Sequence, residues 1–204
     1  MSETVSETVS YTLSSRAGGT RRSDLARLVL RAGVGATLAA HGAQKLFGAF
    51  GGGGLEGTQG AMHAMGFRPG RRSALAAGLA ETGGGALLAL GLATPAAGAT
   101  AAATMAAAAT VHAPNGFWAT SGGLEYPAVL GLASTALAVA GPGRYSVDRL
   151  LGDALNKPWM PAVALLAAGA GAAWAIRQRR TAVAADAQEA ADAPADAPQA
   201  PVAS

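Results

Sequence analysis

Cysteine is absent from the 204 residues. That excludes disulfides, a thiolate zinc site, a cysteine-ligated iron–sulfur cluster and covalently attached c-type haem. Any electrons the protein handles must travel on a bound cofactor or through a partner. Charge is scarce as well: 13% of the residues, against about 25% in an average soluble domain. Between residues 74 and 143 only Glu81 and Glu125 are charged. A soluble helical domain could hardly present a wetted surface with so little charge, so this stretch reads as lipid-embedded. The competing reading is an alanine-rich soluble bundle. No basic stripe interleaves with aromatics, so nucleic acid is not expected as a partner. P-loop, GxSxG and HExxH motifs are missing.

What is present is apolar and small. Hydrophobic residues make up 50% of the chain. They gather into runs whose edges carry most of the Lys and Arg, as the flanks of membrane spans do. The net charge is +3 and the isoelectric point near 9.8. Residues 1–20 are polar, contain a tandem SETV and lack the pattern of a secretory signal peptide, so a disordered tail is expected there. A membrane domain follows over 21–151, with spans at 25–45, 73–93, 95–112 and 124–141. Ser23 is placed to cap the first span, with Asp24 in its first turn. FGAFGGGG, residues 47–54, is a flexible turn. Residues 55–67 form a short helix that lies on the interface or plugs the bundle. Residues 152–180 hold a fifth apolar helix closed by RQRR, and 181–204 an Ala-, Asp- and Pro-rich tail expected to be disordered. The expected fold class is therefore an all-α integral membrane protein: a four-helix transmembrane bundle plus a fifth, C-terminal apolar helix.

Arg21, Arg22 and Arg27 place the N-terminus in the cytoplasm under the positive-inside rule. Arg68, Arg71, Arg72 and RQRR then fall outside, which breaks the rule twice. The rule is a bias over all loops, and the N-inside arrangement with five spans is preferred over four.

Four groups converge by residue counting. His41 sits about 6 Å below the outer end of span one, and Glu81 about 12 Å deep in span two, at 1.5 Å per residue. His112 ends span three and Glu125 begins span four, at the same face. Arg31 lies about 15 Å from His41 along the axis and does not join them. A carboxyl at the depth of Glu81 must pair, accept hydrogen bonds or take up a proton. Its plainest role is a structural pair with His41 or Lys45. His112 and Glu125 read just as plainly as solvated helix ends, and His63 as an exposed loop residue. A b-type haem held by His41 and His112 is disfavoured, since two His near helix ends are weak evidence. No metal site is assigned, because these ligand types have no fixed local spacing.

HGAQKLFGAFGGGGLEGT, GLAETGGGALLALGLAT, HAPNGFW, GGLEYPAVL and GPGRYSVD, spread over about 25–151, together resemble the DoxX family of bacterial membrane proteins. The resemblance implies a four-helix membrane bundle in the bacterial inner membrane. It carries over His41, Gln44, Lys45, Glu81, His112, Glu125 and Tyr126 as motif residues. The family is named for similarity to a subunit of a thiosulfate:quinone oxidoreductase, and some members associate with redox enzymes against oxidative stress. The expected function is a membrane subunit linked to redox chemistry, with a soluble or membrane redox partner; the concrete hypothesis is a quinone-type ligand among spans one to four. His41 and Glu81 would handle protons, and Lys45 or Gln44 would bond a carbonyl oxygen. His112, Glu125 and Tyr126 complete the expected ligand-binding set. The rival is a non-enzymatic scaffold or small-solute carrier whose polar cluster is structural.

Overall fold

The computed structural model describes residues 2–193, with side chains from Arg21 onward, and is helical with no strand among them. The helices are α1 (Ser2–Phe47), α2 (Gly54–Ala64), α3 (Gly70–Leu90), α4 (Thr94–His112), α5 (Glu125–Ala140), α6 (Val147–Leu150) and α7 (Met160–Asp192). Their core comprises Val34 and Leu38 of α1, Leu88 of α3, Ala97, Ala101 and Met105 of α4, and Leu130 and Leu137 of α5. By length and composition α3 and α7 are long and apolar enough to cross a membrane, while α5 is apolar but shorter.

Small residues decide how closely the helices approach. α1 and α3 run antiparallel with their backbones in contact. A Cβ added at Gly85 would lie 2.6 Å from the Ala39 nitrogen and from the Gly35 carbonyl oxygen. α4 meets α5 in the same way: a Cβ at Gly98 would lie 2.7 Å from the Ser134 carbonyl oxygen. Such close approach lets dispersion and short polar contacts hold helices together where lipid removes the hydrophobic drive. The polarity of the molecule is inverted accordingly. Leu132 is 72% exposed, whereas Arg31 is 2% and Asp148 0% exposed. A surface of large apolar side chains over buried ionisable groups suits lipid better than water.

Three expectations differ from the structure. α1 does not start near Ser23 but runs back to Ser2, through the stretch expected to be a disordered tail. Extending an existing helix needs no new nucleus. Asp24 is consequently not in a first turn; it is buried and accepts from the Arg144 backbone nitrogen at 3.3 Å. At the other end α7 continues to Asp192, into the tail expected to be disordered from residue 181. Its alanines favour helix over the coil that its Asp and Pro content suggests. The rest of that expected tail, 194–204, lies outside the described residues, as does Met1.

Candidate functional site

The close packing of α1 on α3 sets the geometry of the site. His41 and Lys45 are one turn apart on α1 and so share a face. Glu81 is presented by α3, and Tyr126 by the first turn of α5. Lys45 Nζ donates to Glu81 Oε2 at 2.5 Å. His41 Nε2 and Tyr126 Oη are hydrogen-bonded at 2.8 Å, with the two rings edge to face, 5.5 Å between centroids. The two pairs are joined through α1, where His41 and Lys45 stand on one face. Two hydrogen-bonded pairs thus form one cluster, whose exposure is graded. Glu81 is 3% exposed, His41 and Lys45 are partly buried, and Tyr126 is 44% exposed.

Gln44 lies beside this cluster and makes no side-chain hydrogen bond within the described residues. Its backbone instead seats the glycine turn, since a Cβ at Gly52 would lie 2.6 Å from the Gln44 Cα. His112 and Glu125 are engaged elsewhere. His112 Nδ1 donates to the Gly122 carbonyl at 2.8 Å, and Glu125 Oε2 accepts from the Ala119 nitrogen at 3.0 Å. Both brace the 113–124 loop, which carries exposed Phe117 and Trp118. His41, Lys45, Glu81 and Tyr126 are brought together; Gln44 flanks them; His112 and Glu125 serve the neighbouring loop. Among the described residues no three His, Asp or Glu side chains converge as a metal site would require.

A second polar assembly holds the opposite end. Arg31 donates Nη1 to the Ala89 carbonyl and Nη2 to the Tyr145 carbonyl. Asp148 accepts from the Ala93 nitrogen at 2.8 Å and the Thr94 nitrogen at 3.0 Å. It therefore caps α4 from another part of the chain, satisfying donors that a helix start leaves open. Ala93 takes a left-handed conformation, φ 48°, to enter that cap. Sequence reasoning placed Arg31 apart from His41 but did not find its partners. A sequence signal for Asp148 existed in its position two residues after Ser146, which caps α6 through its hydroxyl.

Residues 26–113 match the DoxX family model. The chain carries a DoxX domain. The DoxX family is one of membrane proteins. No curated protein sequence matches the chain, and no solved structure does. The DoxX match spans most of the described α1 side chains through the end of α4, and so contains His41, Gln44, Lys45, Glu81 and His112. It stops short of Glu125, Tyr126, Asp148 and the whole of α7, whereas the motif resemblance extended to about residue 151. Within the DoxX domain, then, lie both members of the Lys45–Glu81 pair and one member of the His41–Tyr126 pair. The fourth member comes from α5, beyond it.

Proposed function

We propose that the protein is a multi-pass component of a bacterial inner membrane, with α1, α3, α4, α5 and α7 as its spans and the N-terminus in the cytoplasm. Its working site is the cluster of His41, Lys45, Glu81 and Tyr126, and its ligand is a quinone-type molecule that reaches the cluster from the lipid. The observation that carries this reading is the graded exposure of the cluster. An apolar ligand with carbonyl oxygens, moving in the bilayer, meets the Tyr126 hydroxyl and the His41 ring first. Lys45 and Gln44 supply further donors. Behind them lies Glu81, buried and paired with Lys45, as the innermost carboxyl of the cluster and the candidate proton-handling group. Quinone reduction consumes electrons and protons; here the chain's residues bind the ligand and move protons, and a redox partner supplies or accepts the electrons. Solvent extraction of the purified protein followed by mass spectrometry tests this. A quinone present at near one per chain, and lost in Tyr126→Phe or His41→Gln, is the expected result. Protein purified from native membranes without quinone would refute it.

A second reading is favoured by one specific contact. The 2.5 Å Lys45–Glu81 pair already satisfies both charges. On that reading the chain is a membrane scaffold or small-solute carrier, and the pair ties α1 to α3.

A further inference from the structure

α2 is hinged on one side and clasped on the other. It has no buried residue of its own. Before it runs the glycine turn, with Gly48, Gly51 and Gly54 at φ 71°, 77° and 61°. Glycine adopts these angles without steric cost, so the turn bends easily. After it, residues 65–68 are gripped by α7. Arg68 makes a two-pronged ion pair with Asp186, at 2.8 and 2.6 Å. Arg179 donates Nε to the Met65 carbonyl at 2.9 Å, and its guanidinium lies 5.7 Å from the centre of the Phe67 ring. A Cβ at Gly66 would lie 2.7 Å from a Val183 methyl, so α7 is in contact there too. On its inner side α2 meets the backbone of Lys45. The Thr58 hydroxyl donates to the Lys45 carbonyl at 3.1 Å.

We propose that α2 is a lid over the Lys45–Glu81 pair, and that the part of α7 beyond Ile176, which lies outside the DoxX match, is the latch that holds it shut. The purpose of such a lid rests on the cluster being the working site; the latch can be tested without any ligand. Physically the lid is poised rather than locked. α2 buries no residue of its own, and its closest packing is on the start of α3, where a Cβ at Gly70 would run into the Gln59 carbonyl oxygen, so opening costs that contact together with the latch. Arg68 and Asp186 are both partly in solvent, so salt screens their attraction. Arg179 adds a cation–π contact and a charge-assisted hydrogen bond to the same loop.

The test uses the full-length protein in lipid nanodiscs, with two readouts. One is hydrogen–deuterium exchange of the α2 amides. The other is labelling of Lys45 by a water-soluble amine reagent. The sequence has two lysines, and exposed Lys157 serves as the internal reference. Asp186→Asn and Arg179→Gln should each raise α2 exchange and relative Lys45 labelling about five-fold, the scale of one lost surface contact. High salt should do the same to the unmodified protein. Exchanging the charges, Arg68→Asp with Asp186→Arg, should restore slow exchange. Unchanged α2 exchange and Lys45 labelling in both single variants would overturn the latch. So would a rise shared equally by α3 and α4, since that marks general loosening. Quinone content enters neither readout, so failure of the ligand assignment and failure of the latch are distinguishable.

Discussion

Replacing Glu81 by glutamine keeps the side chain's shape and removes its charge. The structure sets the size of the effect. Breaking a fully buried ion pair by removing one partner costs about 3–5 kcal/mol, because a bare charge is left behind. Here the charge left behind is Lys45, whose side chain is 25% exposed. Its long stem can carry the ammonium toward water. The glutamine oxygen can still accept a hydrogen bond, worth about half of a charge-assisted one. The expected loss for Glu81→Gln is therefore about 1–3 kcal/mol. Lys45→Gln should cost as much or more, since Glu81 is the deeper partner and has no route to water. The double variant should recover at least about 1 kcal/mol of the summed losses, as expected for a pair in contact. Reversible unfolding in mixed micelles, monitored by circular dichroism, reads all three. Losses below about 0.5 kcal/mol in both single variants, the range of ordinary surface changes, would refute the view that this pair ties α1 to α3.

The same variants separate the two functional readings. If the pair is structural alone, quinone content and quinone-linked activity per folded molecule stay unchanged in Glu81→Gln. If Glu81 handles protons with His41, activity falls sharply in Glu81→Gln and in His41→Gln while both remain folded. The double variant is then little worse than either single one, because both act on one proton path. Fully additive losses would argue against a shared path.

Three further outcomes are expected. Arg31→Met should destabilise the protein by about 3 kcal/mol, because it leaves the carbonyls of Ala89 and Tyr145 without their buried donor; an effect within about 0.5 kcal/mol in the same unfolding assay would sink this account. A periplasm-active reporter fused after Gly122 should be active and one fused after Asp153 silent; the reverse pattern would invert the proposed orientation. Deleting residues 159–204 should leave a protein that inserts and stays folded, since α7 has no buried residue, while α2 becomes rapidly exchanging; degradation of the truncated chain would show that α7 belongs to the core.

The helical class and the positions of the apolar helices were legible because hydropathy and helix breakers act locally. The glycine turn at 47–54 and the turn at Gly91, whose φ is 66°, mark where helices must stop. Gathering His41, Lys45 and Glu81 at one end followed from counting rise per residue. What counting could not supply was direction around the helix axis. His112 and Glu125 have the right depth, yet their side chains turn to the 113–124 loop, where Gly122 and Ala119 offer backbone partners. Tyr126 entered from the resemblance alone; its bond to His41 depends on how α5 is rotated against α1. The Arg31 assembly was hidden for a different reason. Its partners are backbone carbonyls at Ala89 and Tyr145, both distant in sequence. The fate of residues 2–20 and 181–192 turned on helix continuation, which composition, read as disorder, underweights.

The two polar assemblies differ in the kind of partner each uses, and the proposed ligand site is the one built from side chains. At the Arg31 end the partners are mostly backbone groups: carbonyls for the guanidinium and amides for Asp148. Moving any of them would uncap α4 or pull the 141–148 segment from the bundle, so that assembly is bound up with the fold itself. At the Lys45 end the partners are side chains, each of which can rotate away without breaking a helix. Tyr126 can trade His41 for a ligand oxygen, and Lys45 can leave Glu81 at the cost of one pair. The helices there are held by glycine contacts that do not depend on the cluster, such as Gly42 against Gly78 and Thr82. A site that must exchange partners is better built from side chains on a rigid frame than from groups that cap the frame. On that physical ground the Lys45–Glu81 end is the place to look for chemistry, and the Arg31–Asp148 end is the place to look for loss of folding.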